Sequence, residues 1–311
     1  MSDGRLGSVK RRAWFVVLLP VAIGFIAIDA FCATLDAPKV CDSCKHWNEP
    51  HQPFRIFGNT YYVGVSGLSA ILITSKEGLI LLDGDLPQSV PLIEANIRQL
   101  GFRVEDVRLI VNSHTHFDHA GGISALQRAT GATVAASPSS AIALKDGEPT
   151  KDDPQYGFGR SRTGFPSVSK VRVIAHHETL HVGLLAITAH FTPGHTPGST
   201  TWTWRSCEAN RCVDVVYADS LSSVSAPGFK FTGNPPQQSR IESFTRSITL
   251  VEGLPCDVLL APHPEFFDLE TKFKALNENP SDNPFIDNQA CRAYAQTARK
   301  NLEQRAASEK D

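Results

Sequence analysis

Short apolar runs separated by polar, glycine-containing turns fill the first half of this sequence. Three such runs, at 60–64, 70–74 and 79–83, predict consecutive antiparallel strands. A further run at 107–111 predicts a buried strand. Apolar residues at helical spacing over 90–100 predict a helix that ends at Gly101, and a second helix is expected over about 118–130.

The second half repeats this organisation. Strands are expected at 133–136, 171–174, 184–190, 200–204, 213–218 and 258–261, and helices at about 238–252 and 287–307. The intervening segment 145–169 is rich in glycine, proline and charge, which predicts a mobile loop. Strand groups with helices in both halves predict one α/β domain, in which two β-sheets pack face to face with helices outside.

The N-terminus differs from the rest of the chain. Lys10, Arg11 and Arg12 precede an apolar run over 13–28, and small residues follow, which is the layout of an export signal. An uncleaved membrane anchor is the alternative, but a helix of this length reaches only about 24 Å against roughly 30 Å of hydrocarbon. We therefore expect a signal peptide over 1–33, a domain over 34–311, and a periplasmic or secreted protein without stable membrane insertion.

Six residues of metal-ligand type fall in three short, turn-rich clusters. They are His114, His116, Asp118, His119, His195 and His263. In an extended segment alternate side chains share a face, so His114 and His116 can bind one cation together. The following turn into a helix displaces Asp118 and His119 towards a second position. Glycines and prolines fix His195 and His263 on tight loops.

Imidazole and carboxylate groups suit zinc, and three ligands for each of two ions leave room for a shared water. Zinc lowers the pKa of a bound water to about 7, which makes hydroxide available at neutral pH. The His195 or the His263 cluster alone could be an ordinary turn. The HxHxDH motif of residues 114–119 is already specific, and all three clusters in this order predict a two-zinc hydrolytic site. The remaining histidines are expected at the surface or in packing, with His190 the nearest of them to the site. They are His46, His51, His176, His177, His181 and His190.

Cysteine usage agrees with export. Of seven cysteines, six remain if Cys32 leaves with the signal, and six allow fifteen pairings. Proximity favours Cys207–Cys212 across a polar turn, and Cys256–Cys291 would tie the C-terminal segment back. Cys41 and Cys44 form a CxxC, for which a disulfide is favoured over a redox or zinc-knuckle role.

Composition adds mainly exclusions. The chain has 41% hydrophobic and 20% charged residues and a net charge of −2, which is ordinary for a globular protein with an apolar core. Without a broad basic field, nucleic acid is not expected as a partner. Nothing indicates an oligomer, so a monomer is the default.

The sequence resembles the metallo-β-lactamase superfamily from about Cys41 to Ala307, and within it the third subclass of class B β-lactamases. The matching stretches are 59–64, 82–84 with 87–89, 189–199, 217–222 and 256–264. The resemblance implies the αββα sandwich of that fold. It also implies a Cys256–Cys291 disulfide, and a serine rather than a cysteine at the strand end near the second metal.

The same resemblance assigns roles to individual residues. His114, His116 and His195 would hold the first zinc, and Asp118, His119 and His263 the second, with His116 and Asp118 taking part in catalysis. It implies that Ser220 and Ser222 bind the substrate carboxylate. Asp83 would orient a ligand histidine, or else cap a buried turn. Phe229 stands where some relatives have tyrosine, which leaves more of the oxyanion charge to zinc.

Three functions follow from these observations. The first is hydrolysis of β-lactams: penicillins, cephalosporins and carbapenems. The second is a thioester or lactone hydrolase of the glyoxalase II kind, in which an aspartate such as Asp219 bridges two metals. The third is a zinc-binding protein without catalysis. Export, the cysteines and the Ser220/Ser222 context favour the β-lactamase.

Overall fold

Twelve strands lie in the part of the chain that the computed structural model describes, namely residues 1, 3–4 and 36–310. They are β1 Phe54–Phe57, β2 Thr60–Tyr62, β3 Ile71–Thr74, β4 Leu79–Leu82, β5 Val107–Val111, β6 Thr133–Ala136, β7 Val171–Val173, β8 Thr179–Val182, β9 Leu185–Phe191, β10 Thr200–Glu208, β11 Arg211–Tyr217 and β12 Val258–Leu260. The expected signal peptide lies almost wholly outside the described residues. Contacts within the chain separate residues 1–35 from residues 36–311.

Two mixed sheets contain these strands. The first has seven strands in the order β1 to β7, antiparallel up to β4 and parallel from β4 to β7. The second has five in the order β12-β11-β10-β9-β8, with β12 parallel to β11 and the other pairs antiparallel. All ten strands predicted from the sequence are present, and β1 and β8 are additions.

The central strands of the first sheet are buried on both faces. In β4, Ile80 and Leu82 join the core between the sheets, whereas Leu79 and Leu81 pack on the outer face under helices. Successive side chains point to opposite faces of a strand, so an uninterrupted apolar run requires cover on both sides. The αββα sandwich expected from the sequence is confirmed.

Nine α-helices cover the sheets or cap their ends within the described residues. They are α1 Cys44–Trp47, α2 Val90–Gln99, α3 Phe117–Ala120, α4 Ile123–Thr130, α5 Pro138–Asp146, α6 Arg160–Thr163, α7 Ile241–Gly253, α8 Leu269–Glu278 and α9 Ala290–Ser308. Helices α2, α4 and α5 pack on the outer face of the first sheet. Helices α7 and α9 contribute to the core with the second sheet. None of the helices in this part of the chain is long and apolar enough to cross a membrane.

The structure corrects two expectations about the chain near the site. The helix predicted over 118–130 is interrupted between Ala120 and Ile123, where the Gly122 amide donates to the Asp85 carbonyl at 3.1 Å. Residue 122 must be glycine, since a Cβ there would lie 2.1 Å from the Gly84 carbonyl oxygen. The segment 145–169, expected as a mobile loop, contains the end of α5, a 3₁₀ turn at Tyr156–Phe158 and the short helix α6. Phe165 and Val168 anchor it in the core.

Three disulfides join the cysteines in the pairs that the sequence favoured: Cys41–Cys44, Cys207–Cys212 and Cys256–Cys291. The last spans 35 residues and links the chain just before β12 to the first turn of α9. It thereby ties the C-terminal helix to the strand that leads to His263.

Candidate metal centre

The predicted metal ligands lie on loops that leave one edge of the sandwich. His114 follows β5, His195 follows β9 and His263 follows β12. Since β9, β11 and β12 run in one direction, their carboxyl ends meet at the same edge of the second sheet. Two groups of side chains among the described residues are placed to hold a metal ion, one of His114, His116 and His195, the other of His114, Asp118 and His119.

The His114 ring is held from behind by a carboxylate. Its Nδ1 lies 2.7 Å from Oδ1 of Asp219, and both side chains are buried. Asp219 follows β11. It is the residue that would bridge two metal ions if the chain were a hydrolase of the glyoxalase II kind. Because Nδ1 and Nε2 face opposite ways on an imidazole, this contact directs Nε2 of His114 away from Asp219 and towards the other ligands.

The His195 ring is held by a backbone carbonyl. Its Nδ1 donates to the carbonyl oxygen of Ser222 at 2.8 Å, and the Ser222 hydroxyl lies 3.2 Å from the same nitrogen. The loop before it needs a glycine, since a Cβ at Gly194 would lie 2.2 Å from the ring of Phe244. A carbonyl can only accept, so His195 carries its proton on Nδ1 and presents the lone pair of Nε2.

His116 is oriented the other way round. Its Nε2 lies 3.1 Å from Oδ1 of Asp153, which comes from the 145–169 segment. Its Nδ1 therefore faces the site, with Nε2 of Gln155 at 3.4 Å. The ring centres of His114, His116 and His195 are 4.7–4.8 Å apart.

The second position brings together two imidazoles and one carboxylate. Nε2 of His119 and Nε2 of His263 are 3.2 Å apart. Oδ2 of Asp118 lies 3.4 Å from the first nitrogen and 3.5 Å from the second. The Trp47 ring of α1 packs against His263, with centroids 5.3 Å apart. Three donor atoms thus lie close together at this position, as do those of His114, His116 and His195 at the first.

Electrostatics keep His114, His195 and Asp118 in the forms that bind metal. Burial, with His114 and His116 nearby, lowers the pKa of His195 to about 3, and burial holds the pKa of His114 well below its ordinary value. Burial alone would raise the pKa of Asp118, but His119 and His263 hold it well below its ordinary value. Burial lowers the pKa of His116 and of His263 as well, but Asp153 raises the first and Asp118 the second above the ordinary value. Neutral imidazoles and an anionic carboxylate are what a divalent cation requires.

The donor set therefore fits a divalent metal ion of the zinc type. Each ring of the first group uses one nitrogen for a protein contact, which leaves the other nitrogen for a metal. Nitrogen and carboxylate oxygen donors without thiolate are compatible with zinc at both positions.

Asp83 does not make the contact expected of it. Within residues 36–310 its oxygens accept hydrogen bonds from the Ser113 amide and hydroxyl, the Asn112 side chain and the Tyr217 hydroxyl, rather than from a ligand histidine. Asp83 thus braces the start of the 112–119 loop, and Asp219 is the carboxylate that orients His114. Burial raises the pKa of Asp83 to about 7, against the effect of the hydrogen bonds from Ser113 and Tyr217.

The two predicted substrate serines differ in their surroundings. Ser220 is buried, and its hydroxyl has no hydrogen-bond partner among the described residues. Ser222 is partly exposed and is engaged with His195. Phe229 packs against Phe231, with ring centroids 5.2 Å apart.

His190 is not beside the metal ligands. Its Nε2 is 2.9 Å from the Thr203 hydroxyl, and its ring packs 5.1 Å from that of His177. Conversely, the sequence interpretation missed Asp153, which sits in a segment with no strand or motif to mark it. The only sequence feature that could have pointed to Asp153 as a partner of a metal ligand was the presence of carboxylates in the segment before β7.

Comparisons with known proteins agree with this geometry. Residues 63–263 match the model of the metallo-β-lactamase superfamily. The solved structure of Rm3 metallo-β-lactamase is 49% identical, with a TM-score of 0.84, covering 88% of this chain and 100% of that one. MEM-A1, a subclass B3 metallo-β-lactamase from a soil metagenome library, is 48% identical, with a TM-score of 0.81, covering 85% and 98%.

A curated relative of another kind also matches. It is a hydroxyacylglutathione hydrolase of Anaeromyxobacter dehalogenans (strain 2CP-C), 27% identical over 147 residues. The match takes in 47% of this chain and only 44% of that relative. The likeness is therefore partial, whereas the β-lactamase structures match along almost their whole length.

Proposed function

The chain belongs to the metallo-β-lactamase superfamily, and from that premise we propose that it is a zinc-dependent B3 β-lactamase. It hydrolyses the amide bond of the β-lactam ring in penicillins, cephalosporins and carbapenems. The small-molecule β-lactam is its substrate partner. Support comes from two metallo-β-lactamases at 48–49% identity, one of them of subclass B3, and from the six-residue donor set described above.

One observation carries the proposal. The three imidazoles of the first position are each held by a different acceptor, which are Asp219, Asp153 and the Ser222 carbonyl. All three therefore direct a nitrogen lone pair inward, beside the converging group of Asp118, His119 and His263. Three fixed nitrogen ligands leave a fourth coordination position for water, which suits a catalytic rather than a structural metal site.

His114, His116 and His195 would hold one zinc ion, and Asp118, His119 and His263 the other. When bound, the two ions supply an activated water and a Lewis acid for the lactam carbonyl. Asp118 remains anionic beside His119 and His263, so its carboxylate can hold a metal and accept a hydrogen bond that would orient the attacking water. His116 keeps its proton on Nε2, against Asp153.

For substrate binding we assign Ser220 the leading role. Its buried hydroxyl is free of protein partners in the described part of the chain, and a β-lactam carboxylate would provide the acceptor that a buried hydroxyl needs. Ser222 has a second function through its contact with His195. It positions the His195 imidazole, in addition to its proposed part in binding the substrate carboxylate.

The thioester hydrolase is the weaker candidate. It would place Asp219 between two metals, whereas Asp219 Oδ1 contacts Nδ1 of His114, on the far side of that ring from the donor nitrogen. The three disulfides also favour an oxidising compartment. We propose a periplasmic or secreted enzyme that acts as a monomer.

Turnover of a substrate panel tests the proposal. Purified mature protein is assayed with nitrocefin, a carbapenem and a hydroxyacylglutathione thioester, each with and without a zinc chelator. We expect chelator-sensitive hydrolysis of both β-lactams and little thioester hydrolysis. Thioester hydrolysis without β-lactam hydrolysis would assign the chain to the alternative, and no hydrolysis at all would indicate a catalytically silent zinc protein.

A further inference from the structure

Asp153 is the one residue of the 145–169 segment whose carboxylate reaches a predicted metal ligand in the described part of the chain. Its side chain is only 3% exposed, and Oδ1 lies 3.1 Å from Nε2 of His116. The same oxygen accepts the backbone N–H of Gln155 at 2.7 Å. A buried carboxylate aimed at the outward nitrogen of an imidazole is how proteins commonly orient a metal-binding histidine.

His116 differs from the other two histidines of its group in where its support comes from. His114 and His195 are held by Asp219 and by the Ser222 carbonyl, both from the segment that follows β11. The support for His116 comes from a different surface segment, between α5 and β7. The tautomer is also reversed, since His116 is held at Nε2 and the other two at Nδ1.

Resting on the proposed function, we propose that Asp153 is a positioning residue for the first zinc ion. Through its hydrogen bond it fixes the His116 ring with Nδ1 inward, and it makes the 145–169 segment part of the metal site. Asp153 does not contact the metal or the substrate in this assignment. It acts through His116.

The physical effect is on the metal affinity. A carboxylate that accepts the second N–H of a ligand histidine makes the donor nitrogen more basic and removes the cost of orienting the ring. Loss of such a partner typically lowers metal affinity about 10- to 100-fold. We expect Asp153→Asn to lower the zinc affinity by an amount near the lower end of this range, because an amide oxygen still accepts the hydrogen bond. The loss of affinity in Asp153→Ala should lie near the upper end.

The segment has other attachments that do not involve the Asp153 carboxylate. The Ala226 amide donates to the Pro154 carbonyl at 2.9 Å. Asp153 itself donates its backbone N–H to Thr150 at 2.8 Å, and the Arg240 side chain binds Asp152. These contacts should keep the segment folded in Asp153→Asn, and the asparagine can still accept from the Gln155 amide.

Zinc affinity, measured by competition with a chromophoric chelator, tests the assignment on wild type, Asp153→Asn, Asp153→Ala and Asp152→Asn. The last variant is the matched control, since Asp152 is the adjacent carboxylate but is exposed and paired with Arg240. We expect weaker binding of one zinc in both Asp153 variants, in the order given, and unchanged binding in the control. Zinc affinity of Asp153→Ala within twofold of wild type would overturn the proposal and leave the metal site intact.

A second measurement does not depend on any variant folding. In zinc-loaded wild type labelled with ¹⁵N-histidine, long-range ¹H–¹⁵N spectra report which ring nitrogen carries the proton. We expect His116 to be protonated at Nε2, and His114 and His195 at Nδ1. A His116 that binds zinc through Nε2 would overturn the proposal. Failure of the wild type to bind zinc would instead overturn the proposed function.

Discussion

Replacing Asp219 by asparagine separates an orienting carboxylate from a bridging metal ligand. The change keeps the size of the side chain. It also keeps an oxygen that can accept a hydrogen bond from Nδ1 of His114, which lies 2.7 Å from Oδ1 of Asp219 in the wild type. It removes the negative charge. Both side chains are almost completely buried, so solvent screening is weak. Burial also raises the pKa of Asp219 to about 7, so the loss of charge should be felt in full above that pH.

The magnitude follows from the kind of hydrogen bond. A bond to a charged group contributes about 1.5–3 kcal/mol net, and a neutral one about 0.5–1.5 kcal/mol. The difference of about 1–1.5 kcal/mol corresponds to roughly a tenfold loss of zinc affinity. Asp219→Ala would leave the buried N–H of His114 with only the Ser113 hydroxyl, at 3.4 Å, as an acceptor. The poorly satisfied N–H adds about 1–3 kcal/mol and takes the loss to about 100-fold.

Zinc content after dialysis and zinc affinity by chelator competition are the assays. We expect Asp219→Asn to retain both ions under zinc-replete conditions, with one site weakened about tenfold and β-lactam turnover reduced only moderately when zinc is in excess. Loss of both ions would identify Asp219 as a bridging ligand and favour the thioester hydrolase. Unchanged affinity in Asp219→Ala would refute the orienting role.

Three further predictions concern the cysteines, the substrate serine and the C-terminus. Denatured mature protein should show no free thiol, and removing the Cys256–Cys291 bond, which spans 35 residues, should lower the free energy of unfolding by about 3–4 kcal/mol; a loss under 1 kcal/mol in urea denaturation would contradict this. Ser220→Ala should raise KM for carboxylate-bearing β-lactams more than it lowers kcat, and a pure kcat effect would count against substrate binding there. Glu309 accepts hydrogen bonds from Phe231, Thr232 and Arg305. Burial would raise its pKa, but these bonds hold it below the ordinary value. Glu309→Gln should therefore cost about 2 kcal/mol at pH 7, and the difference should shrink as the pH falls through the pKa of Glu309 in the folded wild type.

Features of the fold with a strong local signal could be predicted from the sequence. The apolar runs of β3, β4 and β5 are buried on both faces, so they were recognisable as strands between two layers. Helix α5 was missed because its residues are small and polar, with little apolar periodicity. The break between α3 and α4 was missed because the Gly122 amide there donates to the Asp85 carbonyl, a contact between residues far apart in sequence.

The candidate site also contains residues that the sequence could identify and contacts that it could not. The six ligand residues could be selected from short motifs, because their chemistry is local. Their supporting contacts could not, since Asp153 and Asp219 reach His116 and His114 across 37 and 105 residues of chain. Asp83 was the natural choice for the orienting role because it ends a strand beside the site, but the register places it against Ser113 and Tyr217.

Titrating zinc into metal-free protein while following nitrocefin hydrolysis tests directly whether the chain is a two-zinc β-lactamase. We expect no turnover without metal, recovery on adding zinc, and two ions bound per chain when recovery is complete. His116→Ala, read in the same titration, should lose the first site and most turnover. Full β-lactam hydrolysis by metal-free protein, or saturation of binding at a single ion under zinc-replete conditions, would contradict the two-zinc β-lactamase.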